Sequence, residues 1–184
     1  MVIDLGGYYA RKPEAKDVEN IYNYRNDPNV YATLGGFFSG LSRSSIEKWI
    51  ETNSSNQNDY VWVIAEENND ECVGHCGLYK VDFRVGKAEL GAAIAKAHWG
   101  KGLGGRVWAH VTEYGFKQLR LNRIETFNLE INQKVVRIKE QLGYKVEGIL
   151  RQTQFRDGKY LNQMVMAILA SEWNGIPEKF CNIS

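Results

Sequence analysis

Hydrophobic residues recur along this chain with two periods, one near two and one near 3.6, and each change of period marks an element boundary. Tyr8-Tyr9-Ala10-Arg11 predicts a first strand, stopped by Pro13. Val18, Ile21 and Tyr22 follow helical spacing and predict a helix over 15–26. Asp27-Pro28 closes it, because the residue before a proline is disfavoured in the α region. Ser44 and Glu47 have capping-box spacing, and Ile46, Trp49 and Ile50 supply the buried stripe of a second helix. After a polar loop at 53–58, apolar runs predict strands at 60–65, 72–79 and 88–96, the last two joined through the polar segment 80–87. Leu103, Val107, Val111, Tyr114 and Leu119 mark the buried side of a helix over 103–119. A strand at 123–129 and a helix at 132–142, ended by Gly143, follow. The chain then makes a hairpin of strands 144–155 and 159–169 on Asp157-Gly158, a strong two-residue turn signal.

This order predicts an α/β (mixed α+β) fold: a mixed, mostly antiparallel sheet with helices on both faces and a C-terminal hairpin. The strand at 123–129 runs parallel to that at 88–96, because a helix crossover joins them. No repeat, low-complexity tract or linker interrupts the chain, so a single domain over 1–184 is expected. The stretch 30–41, containing Gly35-Gly36-Phe37-Phe38, has no clear period. Such a loop is either a substrate wall or a hydrophobic tether to the core.

Composition narrows the class only slightly. A net charge of +1 gives no global case for nucleic acid or an anionic membrane as partner. Cys72, Cys76 and Cys181 are too few for a disulfide framework and fit a reducing compartment. Residues 1–7 lack a basic region followed by a long apolar run, so no signal peptide is expected, and no apolar stretch is long enough to span a bilayer. The expected location is therefore cytoplasmic.

The candidate chemistry gathers where the strand at 88–96 meets the helix at 103–119, across Trp99-Gly100-Lys101-Gly102-Leu103-Gly104-Gly105. A glycine loop opening a helix exposes several backbone N–H groups at the positive end of the helix dipole, a ready site for a phosphate. The loop also satisfies G-x-G-x-x-G, and Glu125 lies twenty residues beyond Gly105, where a dinucleotide fold places an acidic residue. A dinucleotide fold needs further βα repeats, whereas the remaining chain ends in a hairpin. A P-loop fails because no Gly-Lys-Ser/Thr follows the required gap.

Trp99-Gly100-Lys101-Gly102-Leu103-Gly104 resembles the Q/R-x-x-G-x-G/A acetyl-CoA signature of the GNAT N-acetyltransferases, with Trp99 in the Q/R position. Leu121-Asn122-Arg123-Ile124 resembles the opening of that family's next strand, and the stretch 132–144 resembles its N-x-x-A-x-x-x-Y-x-K-x-G-F helix. The stretch 146–151 followed by Asp157-Gly158-Lys159-Tyr160 is similar to the branch that contains ribosomal-protein and spermidine N-acetyltransferases. The likeness runs from about Tyr9 to Trp173. It implies two parallel strands that splay apart, with acetyl-CoA in the notch as co-substrate and no metal. It also implies that the pantetheine arm lies along Ile94, Ala95 and Lys96, and that Trp99, Gly100, Lys101, Gly102, Leu103, Gly104, Gly105, Asn132 and Arg137 contact the cofactor.

Acetyl transfer to an amine requires loss of an amine proton, stabilisation of the thioester oxygen, and a proton for the departing thiolate. On the strand at 88–96, Glu89 shares a face with Gly91, Ala93 and Ala95, small residues that permit a ligand to approach. Glu89 is the candidate general base, set against a plain ion pair with Lys87 or Arg84, and Glu130 is a second choice. Lys139 stands where the family carries its tyrosine acid, seven residues and two helical turns from Asn132. It is the candidate proton donor, set against a phosphate ligand or a solvated charge. Lys101, Arg106, Lys134 and Arg137 are further candidates for the phosphates of coenzyme A. Cys72, His75 and Cys76 resemble a metal cluster superficially; strand alternation puts the cysteines on one side and His75 on the other, so no metal site is expected.

The expected function is acetyl-CoA-dependent N-acetyl transfer by direct attack of a neutral amine. The acceptor is a protein N-terminus, a polyamine or another small amine, with a monomer or homodimer joined at the hairpin edge. A non-catalytic coenzyme-A-binding module is the rival from another class, and a dinucleotide-dependent oxidoreductase the more distant one.

Overall fold

The computed structural model describes residues 3–36, 39–55 and 59–181. Its centre is an eight-stranded sheet: β1 (Ile3–Asp4), β2 (Tyr8–Arg11), β3 (Tyr60–Glu66), β4 (Cys72–Asp82), β5 (Lys87–Ile94), β6 (Arg123–Leu129), β7 (Lys145–Arg156) and β8 (Lys159–Leu169). The spatial order is β1-β2-β3-β4-β5-β6-β8-β7, antiparallel except for β5 and β6. On one face lie α1 (Val18–Arg25), α2 (Pro28–Tyr31) and α3 (Arg43–Ser55), which bury Ile21, Tyr24, Val30, Ile46 and Ile50 against Val63, Cys72 and Ala93. On the other lie α4 (Leu103–Lys117) and α5 (Gln133–Gln141), which bury Leu103, Val107, Trp108 and Val136 against Trp62, Cys76, Leu78 and Leu90. Burial of these two apolar faces is the main favourable contribution to folding.

The predicted elements recur with revised ends. The first helix is a 3-10 turn at Ala15–Asp17 leading into α1, and the short pair β1–β2 precedes it. The cap of α3 is Ser42 rather than Ser44, since the Ser42 Oγ accepts from the Ser45 N–H at 3.1 Å. Both serines are competent caps, and Ser42 stands three residues before Ser45, the spacing that the hydroxyl reaches. At its other end α3 extends over Asn53–Ser55, where a loop was expected. The stretch after Pro28 holds one helical turn, capped by Asp27, whose Oδ1 accepts from the Asn29 N–H at 2.8 Å. Phe37 and Phe38 lie outside the described residues.

Two features of the sheet position the site. The parallel pair β5–β6 is joined at three positions only, Lys87–Glu89 against Arg123–Glu125. Beyond Glu89 the strands diverge, while β6 continues along β8 as far as Leu129. The second feature is a register shift in β4 that pairs Ile64 with Gly74 but Ala65 with Cys72. The extra residue turns Cys72 to the α1–α3 face while Cys76 stays on the α4 face. This corrects the simple alternation: Cys72 shares the side of His75, and the residue that stands apart is Cys76. Both buried thiols are pushed up to about 12 by burial.

Candidate active site at the strand fork

A cavity of about 730 Å³ passes through the divergence of β5 and β6 and opens onto both faces of the sheet. On the α4 side its walls are Leu90, Ala92 and Ile94 of β5, Leu103, Gly104, Gly105 and Trp108 of α4, Thr126 and Asn128 of β6, and Asn132, Val135, Ile138 and Lys139 on and before α5. On the α1 side they are Arg25, Thr33, Leu34, Gly35, His75, Tyr79, Glu89, Gly91 and Ala93. Cross-strand pairs His75–Ala93 and Tyr79–Glu89 build that second wall, because directly opposed residues share a face.

The loop before α4 has the backbone that an anion site requires. Gly100 and Gly102 sit at φ +78° and +74°, a region open to glycine, and Gly102 caps the helix with no side-chain bond to its first N–H groups. A Cβ on Gly104 would meet nothing nearer than Ile94 Cδ1 at 3.9 Å, so that glycine faces open cleft. Gly105 is different: a Cβ there would lie 2.3 Å from the Phe180 ring, so its smallness serves the packing of the C-terminal segment against α4. The Trp99 indole N–H donates to the Ile94 carbonyl at 2.8 Å and ties the loop to the end of β5.

Strand geometry sorts the expected pantetheine contacts. The Ala95 N–H donates to Val73 O at 2.8 Å and therefore points to β4. Backbone groups of successive residues point to opposite neighbours, so those of Ile94 and Ala92 point into the notch. Ala95 is thus turned away, and Lys96 begins a 3-10 turn, exposed and outside the cavity wall. Lys101 and Arg137 are likewise exposed and outside the wall, whereas Lys134 lines it. Arg106 is a tether: its Nε donates to Leu5 O at 2.6 Å and an Nη donates to Lys101 O at 3.3 Å. Asn132 lines the cavity and donates to Thr33 O at 3.3 Å, linking α5 to the loop after α2. Thr33, Leu34 and Gly35 make that loop a wall of the cavity, one of its two expected uses.

Lys139 is neither solvated nor free. It is 1% exposed, and its Nζ donates to Thr126 Oγ1 at 2.6 Å and to Asn128 Oδ1, with the Trp108 ring centroid 3.6 Å away. Burial holds its pKa well below the usual lysine value. A lysine only donates, which fixes Asn128 with Oδ1 toward it, and the buried Nδ2 is left with no partner among the described residues. That orphaned amide in the cavity wall fits a ligand carbonyl. Together with the uncapped helix N-terminus, it makes the notch chemically suited to a phosphate-bearing thioester.

Glu89 stands at the fork itself and lines the cavity. Its carboxylate accepts from Lys80 at 2.8 Å, a lysine whose side chain is 82% exposed, rather than from Lys87 or Arg84. Lys87 lies 3.8 Å from Glu125, and Arg84 pairs with Asp82. Glu130 accepts from Asn162 at 2.8 Å and lies outside the cavity wall. Arg25, His75 and Tyr79 went unrecognised in the sequence as wall residues. The register of β4 against β5 could have placed His75 and Tyr79, but nothing local marks Arg25.

A sequence profile described as the acetyltransferase (GNAT) domain matches residues 9–145. An uncharacterized N-acetyltransferase, p20, of Bacillus licheniformis is 29% identical over 168 residues, spanning 90% of this chain and 94% of the relative. The spermidine N(1)-acetyltransferase of Escherichia coli is 30% identical over 107 residues, 58% of each chain. A crystal structure of spermidine N-acetyltransferase from Vibrio cholerae, in complex with CoA and spermine, has the same fold, with a TM-score of 0.83 over 90% of this chain and 97% of that one at 24% identity. The comparisons give no support to a non-catalytic coenzyme-A-binding module, and a sheet with one adjacent parallel pair, β5–β6, leaves the G-x-G-x-x-G match without a dinucleotide fold around it. The chain belongs to the GNAT family of acetyltransferases.

Proposed function

We propose that this enzyme moves an acetyl group from acetyl-CoA to a primary amine, of a small molecule or a polypeptide N-terminus, in one direct step through the strand fork. The observation that carries the reading is the cavity itself. One continuous space joins an uncapped helix N-terminus on one face of the sheet to a carboxylate on the other, with a buried lysine in its wall.

Acetyl-CoA supplies the activated acyl group, and the protein's residues do the rest. The first N–H groups of α4 and Lys134 neutralise phosphate, and the notch-facing backbone of Ala92 and Ile94 aligns an extended arm. Glu89 takes a proton from the amine, directly or through one water, so that nitrogen attacks as the neutral base. As the new C–N bond forms and the C–S bond breaks, Lys139 donates a proton to sulfur, and the nitrogen gives up its second proton to water to leave a neutral amide. Burial draws its pKa down from the usual lysine value, which makes the ammonium a stronger acid. As an ammonium it has one hydrogen beyond those given to Thr126 and Asn128, on a nitrogen that lies over the Trp108 ring in the cavity wall.

Among the described residues no helix is long and apolar enough to cross a membrane, and all three cysteines are free, which supports placing the enzyme in the cytoplasm. Strand β7 ends the sheet with Val146, Ile149, Leu150 and Phe155 exposed, and is the edge at which a homodimer would form. The functional reading is tested by calorimetry with acetyl-CoA and by thiol release across a panel of primary amines. Amine-dependent release supports it, whereas binding with no release for any amine would return the fold to a non-catalytic role.

A further inference from the structure

The α1 side of the cavity carries a positive charge, that of Arg25, with no carboxylate in ion-pair distance among the described residues. Among the described residues, Arg11, Arg43, Arg84 and Arg123 each pair with a carboxylate within 4 Å. Arg106 and Arg156 donate to backbone carbonyls. Arg25 does neither. Its recorded partner is the His75 ring, with Nη1 3.2 Å from Nε2, and its buried Nε has no partner. An arginine has no acceptor, so Nε2 is the acceptor here and Nδ1 carries the hydrogen of a neutral imidazole, 2.7 Å from the Tyr24 hydroxyl. The guanidinium is thus held against a neutral ring, stacked in turn on Tyr24, and set in the wall of the acceptor-side cavity. Its position at the last residue of α1 offsets part of the cost through the helix dipole, but leaves the fork donors unused. Around it, Glu89 already holds Lys80, and Tyr79 is kept neutral by burial.

We propose that Arg25 receives an oxyanion of the acceptor, so that the amine acetylated here carries a carboxylate or a phosphate group. A planar guanidinium with free donors is the arrangement that binds such groups in pairs of hydrogen bonds. The same charge disfavours a polyamine, whose second ammonium would enter a wall that already holds an unpaired cation. This inference rests on the acetyl-transfer reading and names the substrate class for that same site.

The test compares amines of equal length that differ in the distal group: aminohexanoate, its carboxamide, an aminoalkyl phosphate and the matching diamine. Thiol release from acetyl-CoA with any of them sustains the acetyltransferase reading; the ratio between them tests Arg25. Wild type should favour an anionic amine over the diamine and the carboxamide by about 10- to 100-fold, mostly through KM, the range for a hydrogen bond to a charged group. The larger of the carboxylate and phosphate rates identifies the oxyanion. Arg25→Gln should erase the preference, Arg25→Lys should restore part of it, and Arg25→Glu should invert it toward the diamine, with acetyl-CoA affinity unchanged throughout. A purely structural Arg25 would lower all rates together without moving the ratio, and that outcome overturns the proposal. Calorimetry of N-acetyl-aminohexanoate and of N-acetyl-aminoalkyl phosphate into the CoA-loaded enzyme supplies a reading independent of turnover. Heat that disappears in Arg25→Gln supports the inference, and the absence of heat with both in wild type overturns it.

Discussion

The two ends of the cavity are built on different principles. At the α4 end the glycine loop offers main chain to the cavity: glycines with positive φ, the free N–H groups of a helix, and the open edge of β5 beyond Glu89. At the α1 end it meets side chains: Arg25 on His75, Tyr79 opposite Glu89, and the loop Thr33–Gly35. That loop is held from a distance by Arg156, whose Nη1 donates to Ala32 O at 2.8 Å and whose guanidinium lies over the Tyr31 ring. Main chain recognises what every reaction of this kind shares, a phosphate and an extended arm. Side chains can change one at a time without disturbing the sheet, so they are where the acceptor is chosen.

If that division holds, substitutions should separate into those that move turnover, those that move cofactor affinity and those that move neither. The largest effect is expected at Glu89. Glu89→Gln should cut saturated turnover by about 100- to 10,000-fold, the usual worth of a general base, and most severely at low pH, where the amine is mostly charged. Acetyl-CoA affinity by calorimetry should be unchanged. Wild-type turnover across pH would return Glu89 to an ion pair with Lys80. Next comes Lys139, the residue that joins the two ends. Lys139→Met should slow transfer by about 100-fold, the lower end of the range for a lost acid, and leave affinity intact. Lys139→Tyr should recover part of that loss, because a phenol also donates a proton. A loss of affinity without loss of saturated rate would make the lysine a phosphate ligand instead.

A smaller effect, and the opposite pattern, is expected at the α4 end. Gly104→Val puts its side chain into open cleft rather than into protein, so acetyl-CoA affinity should fall by about tenfold or more while the melting temperature changes little. Gly102→Val would also remove cofactor binding, but its positive φ adds backbone strain, which makes Gly104 the cleaner probe. Undiminished affinity in Gly104→Val would break the claim that main chain holds the cofactor.

The same division explains what could be read from the sequence. The elements that set the fork were legible because they rest on local signals: the strand-loop-helix glycines, the periodic stripe of α4, and the Asp157-Gly158 turn, whose residues take φ +49° and +76°. The place of Glu89 in the cavity wall was legible from the small residues that share its face. The acceptor end was not, because its residues come together through register and helix docking. His75 meets Arg25 across fifty residues of chain, and the register shift at Ile64–Ala65 reversed the side expected for Cys72. The burial of Lys139 was not legible either: exposed Arg137 and Glu140 flank it on α5, yet the helix turns that position onto Trp108. Nor does charge alone separate Lys101 and Arg137, exposed outside the cavity wall, from Arg106, which is tethered to carbonyls. A positive charge near the loop reads the same whether it faces the cleft, the solvent or a carbonyl.

The smallest effect concerns stability rather than turnover, and it tests whether the acceptor wall is preorganised. Burial and the neighbouring Arg25 charge lower the His75 pKa to about 3, from an ordinary value near 6.5. The folded state therefore keeps this ring neutral while the unfolded chain takes up a proton below about pH 6.5. The stability that neutral His75 provides is fully present above that pH and is lost as pH falls toward 3, at a slope of up to about 1.4 kcal/mol per pH unit. Ion-paired carboxylates such as Asp70 and Glu147, whose pKa values are lowered, lose their contribution at lower pH, below about 4.5. The interval from about 4.5 to 6.5 thus belongs to histidines. His110, also lowered by burial, shares it, so the slope must be assigned by substitution. Urea unfolding at pH 7, 6 and 5 should show wild type losing stability steadily and His75→Gln losing distinctly less. A glutamine can accept from Arg25 and does not titrate, so it should also keep the preference among acceptors. Equal slopes in the two proteins would mean that His75 is protonated in the folded state, beside Arg25, and that the wall pairs two cations rather than one cation and a neutral ring.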